Sequence, residues 1–295
     1  MTKKQLIAFS ALMTLCLQGC ADDITPSEIL ELAEAAYESM DTYKAEGTVT
    51  SDIDTGGMKV NAETSFSMVL KKPNLYLITW AQTNSAMPSM SQSGAVWSDG
   101  DQPYLYMGRM NTYSKMGSDD AALGGAAGMS GGAVVTVPSL FLSTFDEQPG
   151  PFARLIEPQI EKTEKIEGED CYVVSGSSSI SKEESFWISK KSFVIKKHHR
   201  SLEAPEGGMA IPEMTDEQLD AAVRAMGQEV TEESRKNMAE MVKASRSMVK
   251  NMDMKGSSTE VHTDISSPEL SKIAFKYSPP EGAVLKESLF GGKNQ

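Results

Sequence analysis

Apolar and polar residues alternate along much of this chain, and the alternation is clearest between residues 58 and 70. Successive side chains of a β-strand point to opposite faces, so this pattern predicts a strand with one covered face and one wet face. The preceding stretch ends in the turn sequence DTGG and predicts the first arm of a hairpin. Further strands are predicted across residues 74–110 and 161–203 and from residue 257 onward. The apolar positions of the clearest strand are Met58, Val60, Ala62, Phe66, Met68 and Leu70.

A different spacing marks the first predicted helix. Thr25 and Glu28 have the separation of a capping box, and Pro26 stands at the first helical position. Apolar residues then recur at three- and four-residue steps, which is typical of an amphipathic helix. We expect this helix to begin at Pro26 and to end near Tyr43. Its apolar stripe consists of Ile29, Ala33, Ala36, Met40 and Tyr43.

Three later segments depart from the strand pattern. Residues 117–132 are rich in glycine and small residues and predict a flexible loop, and residues 137–145 predict a short helix. Residues 204–256 carry eight methionines and predict two helices, capped by Thr215 and by Thr231. The whole pattern predicts an α+β fold. Its antiparallel sheet curves into a half-open β-barrel, and helices cover the concave face of that barrel.

The first residues predict export from the cytoplasm. Two lysines precede an apolar run of about a dozen residues, which is shorter than the roughly 20 needed to span a bilayer. The run ends at Gly19-Cys20, which resembles the lipobox of bacterial lipoproteins, so Cys20 is the expected site of lipid attachment. The alternative is a secreted protein with a chance cysteine. Ala21 favours the outer membrane over the inner membrane.

These features divide the chain into four predicted regions. Residues 1–19 are a lipoprotein signal peptide, and residues 20–25 are a lipid-anchored tether. Residues 26–203 and 257–290 form the sheet domain, and residues 204–256 are a Met-rich helical insertion. Cys16 leaves with the signal and Cys20 carries lipid, so Cys171 has no intramolecular partner. The apolar core must then hold the fold without a disulfide.

The net charge of −13 makes nucleic acid an unsuitable partner, because nucleic-acid binding depends on clustered cations. The histidines His198 and His199 are adjacent on a predicted strand and therefore point to opposite faces. Residues 52–63 partly match a calcium loop, but a hairpin turn explains them. No catalytic or phosphate-binding motif is evident, so we expect neither an enzyme nor a cofactor nor a metal site. Of the 19 methionines, Met1 and Met13 leave with the signal; the others fit core packing, an adaptable lining or partner surface, or soft copper ligands.

Several stretches together resemble the LolA/LolB-like superfamily of periplasmic lipoprotein carriers, and within it a branch of predicted outer-membrane lipoproteins of unassigned role. They are the lipobox, MDTYKAEGTV, the meandering strands, IEGEDCYVV, FWISKKSFVIKKHHR and AFKYSPPEGA. The resemblance implies a half-open barrel whose cavity holds acyl chains, in a chain anchored like the outer-membrane acceptor. The insertion and the absence of a matching lid-holding arginine depart from that pattern.

The predicted function is that of a lipid-anchored periplasmic binding protein that holds acyl chains of a lipid or lipoprotein in an apolar cavity. The concave side of the alternating strand supplies the candidate lining, namely Val60, Phe66, Met68 and Leu70. The alternative is an envelope interaction or stress-sensing module. In that alternative the barrel is filled by its own side chains, and the Met-rich insertion docks a protein partner.

Overall fold

The computed structural model of the 295-residue chain describes residues 24–54, 59–84, 91–146, 148–203, 214–225, 229–251 and 255–286. The strands within these ranges are β1 (Thr42–Asp54), β2 (Lys59–Lys71), β3 (Leu75–Asn84), β4 (Gln92–Ser98), β5 (Pro103–Met107), β6 (Thr112–Lys115), β7 (Ile156–Ile166), β8 (Glu169–Ser178), β9 (Ser181–Ser189), β10 (Ile195–Ser201), β11 (Lys255–Ser266) and β12 (Val284–Lys286). The helices are α1 (Pro26–Ser39), α2 (Asp119–Ala127), α3 (Pro138–Phe141), α4 (Asp216–Ala225) and α5 (Glu232–Asn251).

The twelve described strands form a single sheet in the order β12-β6-β5-β4-β3-β2-β1-β11-β10-β9-β8-β7. Neighbouring strands are antiparallel, except that β12 runs parallel to β6. The sheet is curved and open, with β12 and β7 at its edges. The predicted α+β fold with a curved antiparallel sheet is therefore confirmed. The pairing of β1 with β11 joins the beginning of the sheet to a strand some 200 residues later.

One face of the sheet is buried beneath α1, α2 and α3. Burial alternates along β2, where Phe66 and Met68 are buried while Glu63 and Ser65 face solvent. The predicted covered face of this strand is thus confirmed. Each large apolar side chain removed from water in this way stabilises the fold by about 1.5–3 kcal/mol. The helices add Ile29, Ala33, Tyr37, Leu123 and Phe141 to the same core.

Helix α1 begins as predicted and ends earlier than predicted. The Oγ1 atom of Thr25 accepts a hydrogen bond from the backbone N–H of Glu28 at 3.3 Å, and the Glu28 carboxylate accepts one from the N–H of Thr25 at 2.8 Å. The predicted end near Tyr43 is wrong, because the helix stops at Ser39 and Tyr43 already belongs to β1. The ring of Tyr43 enters the same core from the sheet, 5.9 Å from the ring of Tyr37. Its helical spacing was therefore coincidental.

The predicted flexible loop at residues 117–132 contains helix α2, so that prediction is wrong for residues 119–127. The Ser118 side chain caps the helix by accepting a hydrogen bond from the N–H of Ala121 at 3.1 Å. Two aspartates in the first turn favour the helix dipole, and Leu123 is buried against the sheet. Packing thus orders a sequence whose glycines alone favour a loop.

Helix α3 lies within residues 137–145, as predicted, and a 3₁₀ turn at Ser143–Phe145 follows it. The chain from α2 through α3, residues 119–141, crosses the buried face of the sheet. We call these residues the cover.

Helices α4 and α5 lie between β10 and β11, which are neighbours in the sheet. The two helices pack on each other through a cluster that is separate from the main core. Arg235 of α5 also holds Asp220 of α4 with two hydrogen bonds, at 2.6 and 2.9 Å. The segment between β10 and β11 therefore contains a helical pair at the end of a strand pair. Its buried cluster comprises Leu219, Val223 and Met238.

Candidate functional site

A large cavity lies between the cover and the sheet, toward the end at which the β1–β2 hairpin turns. Its volume is about 690 Å³, within the range of about 300–1,000 Å³ that is usual for small-molecule sites. The roof is formed by cover residues between Ala127 and Thr136. The floor is formed by residues of β1, β2, β3, β4, β9, β10 and β11. The cavity is thus bounded by most of the central sheet.

Two glycines let the cover lie close to this floor. Gly131 and Gly132 have φ angles of +67° and +99°, a region that residues with a Cβ atom rarely adopt. A Cβ atom at Gly131 would lie 3.2 Å from the Val49 side chain, and one at Gly132 would lie 3.2 Å from the guanidinium of Arg200. The glycines therefore set both the turn of the cover and its approach to the sheet.

The lining of the cavity divides into an apolar part and a charged part. The apolar part includes Val60 and Ala62 of β2 below and Val135 of the cover above. The charged part comes from β9, β10 and β11 and from two arginines outside these strands. The cavity is consequently amphipathic, and not apolar throughout. The further apolar lining residues are Ile53, Ala127, Pro151, Ile180 and Leu202, and the charged ones are Arg109, Arg154, Glu184, Arg200 and Glu260.

A buried chain of ionisable side chains lies along the charged side. His198 Nε2 is 2.9 Å from Glu184 Oε1, and its Nδ1 is 4.0 Å from Glu260 Oε2. The hydroxyl of Thr136, on the cover, donates a hydrogen bond of 2.6 Å to Glu260 Oε2. His262 Nε2 lies 2.8 Å from Glu260 Oε1, close enough for an ion pair but without hydrogen-bond alignment. The chain ties the cover to the sheet through Thr136.

Strand register explains why these groups meet. His198 of β10 is the direct partner of Glu260 on β11, and Arg200 is the direct partner of Glu184 on β9. Side chains of directly opposed residues lie about 5 Å apart on the same face. The pairing of three strands therefore places two acids, one histidine and one arginine at the same wall.

The pKa values of the two glutamates are lowered. Burial raises the pKa of Glu260, but the neighbouring His262, and then His198 and Thr136, outweigh burial and lower it below its ordinary value. Glu184 follows the same rule: burial opposes ionisation, and His198 with Arg200 outweighs it. Both carboxylates are therefore charged at neutral pH, held by neighbours that favour the ionised form.

The three lining arginines have a different environment. Among the described residues, the side chains of Arg109, Arg154 and Arg200 make no ion pair and no hydrogen bond. Arg154 and Arg200 are half-buried, while Arg109 is exposed. The cavity thus presents guanidinium groups whose hydrogen-bonding capacity is available to a ligand.

The structure places the predicted lining residues in two environments. Val60 lies at the cavity wall. Phe66, Met68 and Leu70 follow on the same face of β2 but lie in the core. Their contact with a ligand remains a prediction. Cys20, the predicted site of lipid attachment, lies outside the described residues.

The ionisable wall of the cavity was not predicted from the sequence. His198 and His199 lie on opposite faces of their strand, as predicted: His199 contacts Thr259, and His198 is buried. The contacts of His198 with Glu260, and of Glu260 with His262, were not foreseen. The available signal was the alternation of Ser258, Glu260 and His262 along β11, but nothing in it indicates that the polar set points inward.

Among the described residues, no group of three or more His, Cys, Asp or Glu side chains is arranged to hold a metal ion. No helix in this part of the chain is long and apolar enough to cross a membrane. Cys171 is buried beside Val173 and Trp187, away from the cavity.

Comparison with known proteins gives likeness in structure only. No family model matches the chain, and no curated protein matches it in sequence. Among solved structures it is similar to LprF from Mycobacterium bovis, with a TM-score of 0.40 and 10% identity over 88% of this chain and 97% of the other. It is also similar to the lipoprotein LppX from Mycobacterium tuberculosis, with a TM-score of 0.39 and 9% identity over 83% of this chain and 97% of the other.

A LolA superfamily protein from Nitrosomonas europaea is also similar, with a TM-score of 0.27 and 11% identity over 86% of this chain and 98% of the other. LolA-superfamily proteins and lipoproteins are thus among the solved structures that this chain is similar to.

Proposed function

We propose that this chain is a lipid-anchored periplasmic binding protein that holds an acyl chain of a lipid or lipoprotein and catalyses no reaction. The observation that supports this proposal is the cavity of about 690 Å³ between the cover and the sheet. This volume lies in the range of about 300–1,000 Å³ that is usual for sites that bind one small molecule. The attachment at Cys20 and the outer-membrane location belong to the same proposal and rest on the N-terminal sequence.

The apolar part of the lining supplies the affinity for an acyl chain. Burial of apolar surface contributes about 25 cal/mol per Å², or about 0.8 kcal/mol for each methylene. Side chains of β2 from below and of the cover from above can surround a flexible chain without a specific contact. This mode of binding requires an apolar surface that fits the acyl chain and excludes water from it. It requires no reactive side chain.

We propose that the cover moves when a ligand enters. The roof of the cavity is bound to the floor by the hydrogen bond from Thr136 to Glu260, and it turns at Gly131 and Gly132. Helix α2 remains packed on the core through Leu123. We therefore place the opening in residues 128–136, between the two helices of the cover.

The proposal is tested on the full-length protein, produced in a bacterial envelope. Native mass spectrometry measures lipid that is bound without a covalent link, and the denatured mass reports covalent lipid separately. We expect noncovalent lipid at close to one molecule per chain. A protein that remains empty after incubation with envelope lipids contradicts the proposal.

A pair of matched variants locates the lipid. Ala62→Phe adds a ring at a position that lines the cavity, whereas Ala81→Phe adds the same ring to the exposed face of the adjacent strand. We expect the first variant to lose most of the bound lipid and the second to retain it. Equal retention by both variants places the lipid elsewhere.

A second candidate function, docking of an envelope protein through the insertion, is favoured by one observation. Met241 of α5 is 44% exposed, next to a cluster in which Met238 is buried against α4. If the variant Met241→Ser no longer bound an envelope protein that the unmodified chain binds, and its lipid content were unchanged, this alternative would be supported.

A further inference from the structure

The cavity joins an apolar wall to arginines, and this combination specifies the kind of amphiphile that fits. We propose that the ligand has an anionic headgroup, a carboxylate or a phosphate, held by Arg154 and Arg200 while its acyl chain lies on the apolar wall. This inference rests on the proposed function, because it names the chemical class of the same ligand.

The side-chain N–H donors of these arginines are available to a ligand because the nearby acids accept their hydrogen bonds from other groups. Glu184 is bound by His198 at 2.9 Å. Glu260 is bound by the Thr136 hydroxyl at 2.6 Å and lies 2.8 Å from His262. Arg200 stands opposite Glu184 in the strand register and still forms no ion pair with any described residue. Its guanidinium therefore keeps N–H donors that no described carboxylate uses.

Arginine suits this task better than a general positive surface would. Its planar fork donates two parallel hydrogen bonds to a carboxylate or a phosphate. The two oxyanions present the same acceptor geometry, so the cavity wall alone does not separate a fatty acid from a phospholipid. A neutral head of similar size leaves the guanidinium groups without a partner.

The position of Arg200 also connects the headgroup to the cover. The Cβ position at Gly132 is 3.2 Å from a guanidinium nitrogen of Arg200, so the arginine lies directly beneath the turn of the roof. Arg154 precedes Leu155, which packs against Gly176 of β8, and it borders the cavity from the adjacent side. The two arginines therefore face the cavity from β10 and from the segment before β7. Arg109 borders it from the far side of the sheet order, after β5.

Three single-chain probes distinguish the headgroups. Oleate, monooleyl phosphate and oleyl alcohol share one chain and differ in their heads. Each is titrated into the full-length protein below its micelle concentration, and binding is followed by calorimetry. We expect at least one of the two anions to bind about tenfold or more tightly than the alcohol, and the tighter anion identifies the source of the headgroup.

The arginines are tested with the double variant R154Q/R200Q and the matched control R224Q, which removes an exposed arginine of α4 outside the cavity. Charge-assisted hydrogen bonds predict a loss of about 10- to 100-fold in anion affinity for the double variant. Alcohol binding should stay within about twofold in every variant. Circular dichroism checks folding, and the single variants R154Q and R200K replace the double variant if it does not fold.

The outcomes that contradict the headgroup site differ from the outcome that contradicts the proposed function. If the alcohol binds as tightly as both anions, the headgroup site is wrong and the acyl-chain proposal stands. If R224Q weakens anion binding as much as R154Q/R200Q does, general surface charge explains the preference, and the headgroup site is again wrong. If none of the three probes binds, the proposed function fails together with this inference.

Discussion

Gly47 lies where the sheet leaves no space for a side chain. A Cβ atom there would come within 2.2 Å of the carbonyl oxygen of Val261 and within 2.4 Å of the Phe66 ring. We expect Gly47→Ala to lower the free energy of unfolding by about 1–3 kcal/mol, because the strand or the ring must shift. Urea unfolding followed by tryptophan fluorescence measures the change.

Gly124 provides the matched control for that substitution. It is exposed on α2, and an added Cβ atom would meet nothing within 4 Å. Gly124→Ala should raise the free energy of unfolding by up to about 1 kcal/mol, through helix propensity alone. An equal loss in both variants would show that the effect at Gly47 is not one of crowding.

Cys171 is a second residue whose behaviour follows from its surroundings. Burial raises the pKa of its thiol, and its side chain has no exposed surface. In the full-length variant C16S/C20S it is the single remaining cysteine. We expect a thiol reagent at pH 8 to modify it slowly in the folded protein and rapidly in denaturant. Rapid modification of the folded protein contradicts the buried position.

At the scale of elements, one hydroxyl connects helix α1 to strand β10. The Tyr37 hydroxyl accepts a hydrogen bond of 3.0 Å from the backbone N–H of Ile195, next to an irregularity in the β9–β10 register. Tyr37→Phe leaves that buried N–H unpaired and should cost about 1–3 kcal/mol of stability. Chemical denaturation of the variant provides the measurement.

The control for that prediction is Tyr104→Phe. The Tyr104 ring stacks on Trp97, and its hydroxyl makes no hydrogen bond to another described residue. Removal of this hydroxyl should change the stability by less than about 0.5 kcal/mol. If Tyr37→Phe is equally mild, water replaces the missing acceptor at Ile195.

At the scale of the whole molecule, the buried carboxylates predict sensitivity to acid. The pKa values of Glu184 and Glu260 are lowered in the folded protein, so the folded state binds fewer protons than the unfolded state near their ordinary value of 4.5. The stability they contribute is complete above that value and is lost as the pH falls through their folded pKa values. Unfolding midpoints in urea between pH 3 and pH 7 should therefore decline below about pH 4.5.

Substitution of one of these acids separates this contribution from the general acidity of the chain. Glu260→Gln leaves His262 and Thr136 without their charged partner and should destabilise the protein by about 3–5 kcal/mol at neutral pH. The decline in acid should become shallower in this variant. Glu63→Gln, on the exposed face of β2, should keep the original profile. An unchanged slope in Glu260→Gln would assign the acid sensitivity to other groups.

The sequence predicts those parts of the fold that depend on local pattern. The alternation in β2 correctly indicated its buried face, and the box of Thr25 and Glu28 correctly indicated where α1 begins. The pairing of β1 with β11 depends on contacts across some 200 residues, which no local period contains. Helix α2 was missed because packing on the core outweighs its glycines.

The candidate site was predicted less completely than the fold. Val60 and its face of β2 followed from the alternation, since apolar residues there point toward the cover. On β11 the same rule fails, because Glu260 and His262 point inward while Val261 points outward. Charge compensation among Glu184, His198 and Glu260 makes this inward set stable, and such compensation appears only when three strands are aligned.

The ends of the helical segment between β10 and β11 have a consequence for how such a chain can change. Ser201 and Ser257 are direct partners on β10 and β11, so the segment between them leaves and returns at points about 5 Å apart. The only geometric requirement on the connecting segment is that its two ends lie about 5 Å apart. A two-residue turn would meet this requirement, and so would the present helices or an unrelated domain. Insertions and deletions between these serines can therefore accumulate while the register of every described strand is preserved. The sheet and the helical segment are free to evolve at different rates.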